Sequence, residues 1–516
     1  MSFARLFGSS LTTASAAAAL LLAGAATGQA QVNKNWLTVV MPAEPAGLDG
    51  CSATRQLEGY INKQTIVETL LDKNLKTGEL VPRLATSWEM VDPNTWRFKL
   101  RQGVKFHDGA DFNAETAIKS MTRTLTAPFQ CEIRNKYFNN IKMTLTAPDA
   151  YTLQVVTEKP EPILPIRIAI LTMASPNTTL DKLVLDPVGT GPYVLEKYTP
   201  GESVVLKRND KYWGKKPVVD GAKYVWRKES SVMAAMVKVG EADLAPTIAP
   251  QDAIDKELDH SYANSETTYL RMESQMPPLD DKRVRLALQY AIDRNALRGS
   301  IFPKEVLLAT QMVFPSIIGH NHEIDKQARP YDPAKAKALL AEAKAAGVPV
   351  DRKIQMIGRI NQWPNTTETM EAVLAMYQAI GMNVSLRMVE AQEWVTFNIN
   401  PYKGASAKEG QNKAADRDPV ILGHMHDNNN GDPVFSMFNK YTCGAAASPH
   451  CNPELDKLIA QATTTSGPER TKLWQQVMKV TYEDMAADVW LFHMVGYSRV
   501  GKRINFKPST ATNTEI

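Results

Sequence analysis

The sequence predicts a mixed α/β protein with more than one lobe. Its 516 residues are 44% hydrophobic, and at about 100–200 residues per domain this length is enough for two to four lobes, each with its own core. Runs that alternate apolar and polar residues are frequent before Glu273, whereas runs with apolar residues at helical spacing dominate after it. Both signals occur in one chain without repeats or low-complexity tracts, which favours the α/β class.

The N-terminus predicts an exported protein. Arg5 supplies one positive charge, "LTTASAAAALLLAGAA" is an apolar run, and "ATGQA" ends in the small residues that a signal peptidase accepts. We therefore predict a signal peptide over residues 1–30 and a mature chain that starts at Gln31. A membrane anchor is the alternative, although the run is shorter than the ~20 apolar residues of a spanning helix. The lack of a cysteine near the cleavage site disfavours a lipoprotein.

Four cysteines in an exported chain favour disulfides, and four cysteines allow three pairings. Cys443 and Cys451 share the short loop "YTCGAAASPHCN", so we pair them. Elimination then leaves Cys51 with Cys131, and four buried free thiols are the alternative. The sequence has no C-x-x-C motif, so it does not support a redox or zinc role for the cysteines.

Strand signals and one helix signal precede residue 160. "WRFKLRQGVKFHDG" alternates, turns and alternates again, which predicts a hairpin over 96–109. "NAETAIKSMTRTL" has helical spacing and an N-cap candidate in Asn113. "PDAYTLQVVTEKP" predicts the edge of a further strand pair.

The stretch 186–217 contains a Gly-Thr-Gly-Pro turn. Gly189 and Gly191 permit the turn and Pro192 fixes its backbone. The runs "YVLEKY" and "SVVLKRN" that follow predict two strands.

Three helices are predicted after Glu273. "PPLDDKRVRLALQYAIDRNAL" begins after two prolines and an aspartate pair, and "DPAKAKALLAEAKAAG" has Pro333 in its first turn and Gly347 as its stop. "TTETMEAVLAMYQAIG" is followed by the strand "NVSLRMV", which is the pattern of a crossover unit in a mixed sheet.

Composition and motifs exclude several classes of function. A net charge of +4 spread over the whole chain gives no basic stripe for phosphates, so we expect no nucleic-acid partner. G-x-S-x-G, H-E-x-x-H and G-x-x-x-x-G-K-[ST] are all absent, and no cysteine has the setting of an activated nucleophile. We therefore predict no catalysis and no cofactor. A periplasmic hydrolase with unmarked residues and a structural or chaperone-like exported protein stay as alternatives.

Three long segments resemble one protein family. "LVPRLATSWEMVDPNTWRFKLRQGVKFHDGADFNAETA", "VGTGPYVLEKYTPGESVVLKRNDKYW" and "PPLDDKRVRLALQYAIDR" look like successive signatures of the extracellular solute-binding proteins of family 5, the peptide- and nickel-binding receptors of bacterial ABC importers. The similarity extends over essentially the whole mature chain. It implies a two-lobed periplasmic binding protein of type II, cluster C-like, with an extra subdomain on the first lobe. The Gly-Thr-Gly-Pro stretch is then a scaffold hairpin.

The resemblance also implies domain limits. The first lobe takes residues 31–71, 188–268 and 489–516, and the inserted subdomain takes 72–187. The second lobe runs over 269–488. The chain passes between the lobes near "YLRMESQ" and "VWLFHMV", two strand-like crossings that suit a hinge.

Arg359 is the first candidate ligand contact. It stands in "IQMIGRINQWPNTTETMEAV", which is similar to the segment of dipeptide-binding relatives in which an arginine pairs with the carboxylate of the peptide. A guanidinium offers a planar fork for a carboxylate. The alternative is a solvated or structurally paired arginine.

The second candidate segment is "GHMHDNNNGDPVFSMF". In peptide-binding relatives an aspartate four residues before the proline neutralises the ammonium of the ligand, and here that position is Asn429. An amide cannot supply the counter-charge that a buried ammonium needs. Either Asp427 takes over this role or the ligand has no free amine there. Asp432, directly before Pro433, is a further candidate, with turn formation as its alternative.

Histidines and aromatic residues complete the candidate set. His424 and His426 are two residues apart, so on a strand both side chains project to the same face, and His320 and His322 have the same spacing. Each pair is therefore a weak candidate for binding nickel or a metallophore. The alternative is that the spacing is incidental. Four aromatic residues are candidates for lining an apolar pocket, with burial in the core as the alternative. They are Tyr60, Trp363, Trp394 and Tyr441.

The sequence thus predicts the periplasmic, substrate-binding component of an ABC importer for a short peptide or peptide-like solute. Closure of two lobes over the ligand is the expected mechanism, because only the closed state lets both lobes contact it. The expected partners are the ligand and the permease subunits at the inner membrane, and we expect a monomer. A nickel or metallophore, opine or oligosaccharide receptor of the same family is the alternative.

Overall fold

The computed structural model describes residues 35–74, 79–126, 128–138, 141–399, 417–427, 431–445, 447–465 and 467–509. The predicted signal peptide and Asn429 lie outside these residues. Strands and helices both occur throughout the described chain, as the α/β prediction requires. Among the described helices, none combines the length and the apolar character needed to cross a membrane.

The strands are numbered in chain order. They are β1 (Trp36–Met41), β2 (Glu68–Thr69), β3 (Leu71–Lys73), β4 (Leu80–Pro82), β5 (Ala85–Asp92), β6 (Thr95–Leu100), β7 (Met143–Asp149), β8 (Thr152–Thr157), β9 (Thr172–Met173), β10 (Tyr193–Thr199), β11 (Ser203–Arg208), β12 (Gly221–Trp226), β13 (Leu244–Ala245), β14 (Asp259–Met272), β15 (Leu307–Leu308), β16 (Ile354–Arg359), β17 (Val384–Val389), β18 (Val420–Asp427) and β19 (Asp488–Val500).

The α-helices are numbered in the same way. They are α1 (Gln56–Asn62), α2 (Ala114–Thr126), α3 (Leu164–Ile168), α4 (Ser230–Val239), α5 (Lys282–Tyr290), α6 (Arg294–Leu297), α7 (His322–Asp325), α8 (Pro333–Ala345), α9 (Thr366–Ala379), α10 (Ala391–Ile399), α11 (Val434–Tyr441), α12 (Pro453–Thr464) and α13 (Gly467–Lys479). Short 3-10 helices cover Gly50–Ser52 and Pro250–Asp252, and short π-helices cover Arg134–Phe138 and Val480–Asp484.

One eleven-stranded sheet organises the chain. Its order is β10-β11-β12-β1-β13-β19-β14-β18-β16-β17, with β15 paired beside β19. The long strands β14 and β19 pair antiparallel and stand between the two groups of strands. The lobe limit expected at 268/269 lies within β14, and the limit at 488/489 lies at the start of β19. Separate cores form on the two sides, one against β16 and α9 and another against β1 and β11.

The part of the chain between β5 and β8 forms its own antiparallel sheet in the order β5-β6-β8-β7. The strand pair predicted around "PDAYTLQVVTEKP" is confirmed as β7 and β8. The hairpin predicted over 96–109 is wrong, because β6 pairs with β5 and β8 instead. Val104 and Phe106 alternate as strand residues do, but they are buried in a loop whose only bridge joins Lys105 to Asp111 within the described residues.

The predicted helices and the crossover are confirmed. Asn113 caps α2 by accepting a hydrogen bond from Thr116 N (3.0 Å), and Asp332 caps α8 in the same way. The helix predicted after the prolines begins at α5 but is interrupted before the short α6. Strands β16 and β17 are parallel, with α9 between them in the chain. Local capping and helical spacing thus predicted these elements correctly.

The Gly-Thr-Gly-Pro stretch leads into the predicted strand pair, β10 and β11. A Cβ atom on Gly189 would lie 2.1 Å from Ile66 O, and one on Gly191 would lie 2.2 Å from Thr65 O. Gly191 N donates to Ile66 O (3.0 Å), and Tyr193 N donates to Thr65 O (2.9 Å). Both glycines are therefore needed for close approach of two backbones, which is a stricter constraint than the turn that we expected.

Both expected cysteine pairs are disulfide-bonded. Cys443 and Cys451 have Cα atoms 4.3 Å apart and close the short loop. Cys51 and Cys131 have Cα atoms 5.1 Å apart and join the start of the chain to the segment after α2. No free cysteine remains among the described residues.

A buried carboxylate ties three segments together. Glu68 in β2 accepts hydrogen bonds from Arg83 Nε (2.7 Å), Thr190 Oγ1 (2.9 Å), Tyr212 OH (2.8 Å) and Trp213 Nε1 (2.8 Å). The side chain is fully buried, and four donors satisfy both of its oxygens. This explains why the Gly-Thr-Gly-Pro stretch and the aromatic tip of the β10–β11 unit belong to the scaffold.

Glu68→Ala leaves those four donors without their acceptor in a buried site. We expect the free energy of unfolding to fall by about 3–5 kcal/mol, as measured by urea denaturation. The control Glu202→Ala changes an exposed carboxylate and should shift it by less than about 0.5 kcal/mol. A loss of less than about 1 kcal/mol for Glu68→Ala would contradict this role.

Candidate functional site

A cleft of about 690 Å³ lies where the two groups of strands meet. One wall is residues 247–251, and the facing wall includes residues 361–365. Glu266 of β14 and residues 494–497 of β19 also line it. Its volume is within the range of small-molecule sites, and its walls come from both sides of the long strand pair.

Left-handed backbone is concentrated at this cleft. Asn361 (φ 56°) and Asn365 (φ 60°) line it, and Ser265 (φ 61°) directly precedes Glu266. The β14–β19 register is interrupted between Ala263 and Thr267 at the same place. Non-glycine residues with positive φ are uncommon and cluster at functional sites. The interruption places a polar segment in the lining of the cleft, in the middle of a long strand, and a second register shift follows between Thr268 and Tyr269.

Two carboxyl groups are neighbours at this interruption. Glu266 of β14 pairs in register with Asp427 of β18, and Asn264 Nδ2 donates to Glu266 Oε2 (2.7 Å). Burial, and secondly the charge of Asp427, raise the pKa of Glu266 to about 7. Sequence reasoning named Asp427 but missed Glu266. The polar run "NSET" within a strand was the available signal.

Two lysines face Asp427 from different elements. Burial lowers the pKa of Lys136, but Asp427 and other neighbours outweigh it and raise this pKa overall. Burial, followed by the charge of Arg271, lowers the pKa of Lys440 to about 7, and Asp427 opposes this shift. Asp427 thus interacts electrostatically with the carboxyl group of Glu266 and with both lysines, in a network that binding of a charged ligand will perturb.

Arg359 is the last residue of β16, directly before the loop that lines the cleft. Its Nε is buried and has no hydrogen-bond partner in the described part of the chain. Neither ion pairs nor hydrogen bonds engage its guanidinium there. A buried donor without a partner is unusual in a native structure, so this group is available for an acceptor that the chain itself does not supply.

The aromatic candidates separate into two groups. Trp363 lines the cleft, and its Nε1 donates to Thr369 Oγ1 (3.3 Å). Trp394 is buried in a small core and donates from Nε1 to Gly423 O (3.0 Å). Tyr60 and Tyr441 are also core residues, in two different clusters. Within the described residues, only Trp363 of the four aromatic candidates is part of this cleft.

Asp432 has a structural partner. Its two carboxylate oxygens accept from Arg470 NH1 (2.6 Å) and NH2 (2.7 Å), and Oδ1 also accepts from Val434 N (3.0 Å). Both charged side chains are buried. The carboxylate is therefore fully engaged, and we do not carry Asp432 into the proposed binding set.

His424 and His426 lie in β18 on the side of α11. The ring of His424 stacks on Tyr269, and its Nε2 lies 3.0 Å from Lys440 Nζ. His426 hydrogen-bonds to the hydroxyl of Ser436 through Nε2. Burial, and then the charge of Lys440, hold the pKa of both imidazoles well below its usual range. In the described chain, neither histidine belongs to a group of three potential metal ligands.

The titration of Glu266 is testable without a ligand. Its pKa of about 7 lies above the ordinary value of 4.5, so the folded state binds the proton more tightly than the unfolded state. Ionisation of Glu266 therefore lowers stability as the pH rises between these values, by up to about 3 kcal/mol. Glu266→Gln removes this loss. Calorimetry should show the difference in Tm, variant minus wild type, becoming more positive from pH 5 to about 8.

Glu241→Gln is the control for this experiment, because Glu241 is exposed. Its difference in Tm should stay flat over the same range. A flat difference for Glu266→Gln as well would contradict the raised pKa.

Comparison with known proteins supports the same architecture. The model of the bacterial extracellular solute-binding proteins, family 5 (Middle), matches residues 79–446. The dipeptide-binding protein of Escherichia coli (strain K12) is 27% identical over 520 residues, covering 93% of this chain and 93% of that protein. That protein is named for its binding of dipeptides.

Two solved structures have the same fold. HbpA2 from Haemophilus parasuis has a TM-score of 0.77 at 21% identity, covering 91% of this chain and 96% of that one. The ABC transporter-associated periplasmic binding protein DppA from Helicobacter pylori, in complex with the peptide STSA, has a TM-score of 0.70 at 21% identity, with coverages of 93% and 96%. The two-lobed α/β fold of a periplasmic binding protein is thereby confirmed. The chain belongs to the bacterial extracellular solute-binding proteins of family 5.

Proposed function

We propose that this protein is the substrate-binding component of a bacterial ABC importer and that its cleft holds a short peptide or peptide-like solute. One observation carries the proposal. Arg359, whose Nε has no hydrogen-bond partner in the described chain, ends β16, and Asp427 ends the parallel strand β18, so both lie at one edge of the sheet. Glu266, the strand neighbour of Asp427, lines the cleft, as does the segment 361–365 that follows Arg359. A peptide with free ends presents the complementary charges, one at each end. Two similar proteins are described as binding peptides: the dipeptide-binding protein of Escherichia coli and DppA of Helicobacter pylori in complex with STSA.

We favour di- and tripeptides as the ligand class. Three similar proteins are named for dipeptides or for di- and tripeptides, and a peptide of this length carries one charge of each sign at its free ends.

Closure of two lobes over the ligand is the proposed mechanism. We retain the limits 31–71, 188–268 and 489–516 for the first lobe, 72–187 for its subdomain and 269–488 for the second lobe. In this division, Glu266 belongs to the first lobe, and Arg359 and Asp427 belong to the second. Glu266 and Asp427 are already strand neighbours, so closure brings the wall 247–251 of the first lobe, and not these charges, onto the ligand. A ligand held by both lobes favours the closed state, because only there does this wall also contact it.

The cellular setting follows from the family and the N-terminus. We propose that residues 1–30 direct export, that the mature protein acts in the periplasm as a monomer, and that its closed form docks on the permease subunits. It performs no catalysis in this proposal, and ATP hydrolysis belongs to a separate protein. Incubation with Ala-Ala-Ala should therefore release no alanine over many binding cycles.

Arg359→Ala tests the carboxylate end. Removing the guanidinium leaves a desolvated carboxylate unpaired, which should weaken Ala-Ala-Ala binding by more than tenfold, or about 2–5 kcal/mol. Titration calorimetry measures the affinity. Arg298→Ala, at an exposed arginine of the same lobe, should leave it unchanged.

An amidated C-terminus provides the second control. Ala-Ala-Ala-amide already lacks the carboxylate, so Arg359→Ala should affect its binding far less. Equal affinities of wild type and Arg359→Ala for the free acid would remove the peptide-carboxylate model and favour a neutral or metal-bound ligand.

Asp427→Asn and Glu266→Gln test the amine end. Each variant removes a negative charge beside the ammonium, so each should weaken Ala-Ala-Ala binding by about fivefold or more. N-acetyl-Ala-Ala-Ala has no ammonium and should bind the variants and the wild type alike. Asn429 stays in the proposed set as a hydrogen-bond acceptor, and Asn429→Asp should strengthen binding of the free amine. Weakening of the acetylated peptide to the same extent would show a structural effect instead.

A further inference from the structure

A cluster of metal-ligand side chains lies outside the cleft. His320, His322 and Asp325 bring one potential ligand atom each to within 4.8 Å of one another. His320 Nε2 lies 2.7 Å from Asp325 Oδ2, and His322 Nδ1 lies 3.6 Å from the same oxygen. None of the three residues lines the cleft. They are located around the short helix α7, beside the core formed by α12 and α13.

Hydrogen bonds from neighbouring residues orient the side chains of His320 and Asp325. His320 Nδ1 lies 2.9 Å from Val313 O, and because a carbonyl only accepts, this nitrogen is the donor. Asp325 Oδ1 accepts from Thr310 Oγ1 (2.6 Å) and Gln311 Nε2 (3.3 Å), which leaves Oδ2 directed at the histidines. Contacts of this kind, from carbonyl to histidine and from hydroxyl to carboxylate, are typical of metal-binding sites.

The Nε2 atom of His320 faces a carboxylate oxygen, which is a hydrogen-bond acceptor. With Nδ1 protonated, Nε2 of a neutral imidazole carries a lone pair, yet Asp325 Oδ2 lies 2.7 Å away. Gln311 Nε2 is the only donor close to it among the described residues, at 3.4 Å. The imidazole nitrogen and the carboxylate oxygen are thus placed side by side, as neighbouring ligands of one metal ion are.

The loop that carries His320 is held rigidly. Gly319 has φ 84°, and a Cβ there would lie 2.3 Å from Trp474 Cβ. Asn321 Nδ2 donates to Gln475 O (3.0 Å), and Gln475 Nε2 donates to His320 O (3.2 Å). His320 is buried, whereas the side chain of His322 is 66% exposed. A fixed inner ligand next to an accessible outer one gives an ion a route of entry from solvent.

We propose that His320, His322 and Asp325 form a binding site for a divalent first-row transition metal, separate from the peptide cleft. Two imidazoles and one carboxylate suit ions of the Zn²⁺ or Ni²⁺ type and not Ca²⁺ or Mg²⁺, which take oxygen ligands. Ligand atoms about 2.1 Å from a tetrahedral ion lie about 3.4 Å apart. The distances from Asp325 Oδ2 to His320 Nε2 and to His322 Nδ1 are on either side of this value, and all three ligand atoms lie within 4.8 Å of one another. Binding of an ion therefore requires Asp325 Oδ2 to move away from His320 Nε2 and the exposed His322 to turn towards both. Solvent supplies the fourth position.

Titration calorimetry of the mature protein with ZnCl₂ tests the site. The wild type should bind one Zn²⁺, and His322→Ala should weaken this binding by at least tenfold. His322 is exposed, so the variant should keep the wild-type circular dichroism spectrum. His260→Ala, at another exposed histidine, should bind Zn²⁺ like the wild type, and so should His426→Ala next to the cleft.

X-ray absorption of the zinc-loaded wild type gives an independent measurement. The expected spectrum has two imidazoles among nitrogen and oxygen ligands, and the His322→Ala spectrum should lose one of them. Equal zinc affinity of His322→Ala and wild type, or a spectrum without imidazole, would overturn the proposal. Peptide binding by Arg359→Ala does not enter this experiment, so its outcome is independent of the proposed transport function.

Discussion

The antiparallel pairing of β14 with β19 is the constraint on which the rest of the structure depends. These strands stand between β10-β11-β12-β1-β13 on one side and β18-β16-β17 on the other. Their register runs from Asp259 opposite Arg499 to Arg271 opposite Asp488. The first of these pairs is a buried ion pair with two contacts of 2.6 Å. Hydrogen bonds join the two strands over most of this length, so they move together as one unit. We propose that bending or twisting of this unit lets the two lobes approach each other.

The register of this pair shifts at two neighbouring places, and the acidic lining of the cleft is found at the longer interruption. Between Ala263 and Thr267 the ladder is interrupted, Ser265 is left-handed, and Glu266 enters the lining beside Asp427. An interruption in a ladder re-aims side chains without breaking the strand. The proposed hinge and the acidic part of the proposed site therefore share one segment of backbone, through which the proposal couples ligand charge to lobe position. Arg359 is placed independently, by the end of β16.

Local signals in the sequence were sufficient where structure depends on near neighbours. Helix α8 follows from Asp332, Pro333 and Gly347, and the unit β16-α9-β17 follows from its periodicity. Those local signals do not predict which strands or side chains pair when they are far apart in the sequence. The pairing of β6 with β8 joins residues up to 61 positions apart, from Thr95 to Val156, and the bond between Asp432 and Arg470 joins positions 38 residues apart. Glu266 was missed for the same reason, since its role depends on a register that only the folded sheet defines.

The central claim is that one peptide in the cleft pairs its carboxylate with Arg359 and its ammonium with Glu266 or Asp427. A crystal structure of the protein with bound Ala-Ala-Ala measures this most directly. The account predicts a carboxylate oxygen of the peptide within about 3.2 Å of the Arg359 guanidinium and the terminal nitrogen within about 3.2 Å of Glu266 or Asp427. A peptide bound elsewhere, in the reverse orientation, or with Arg359 still unpaired would contradict it.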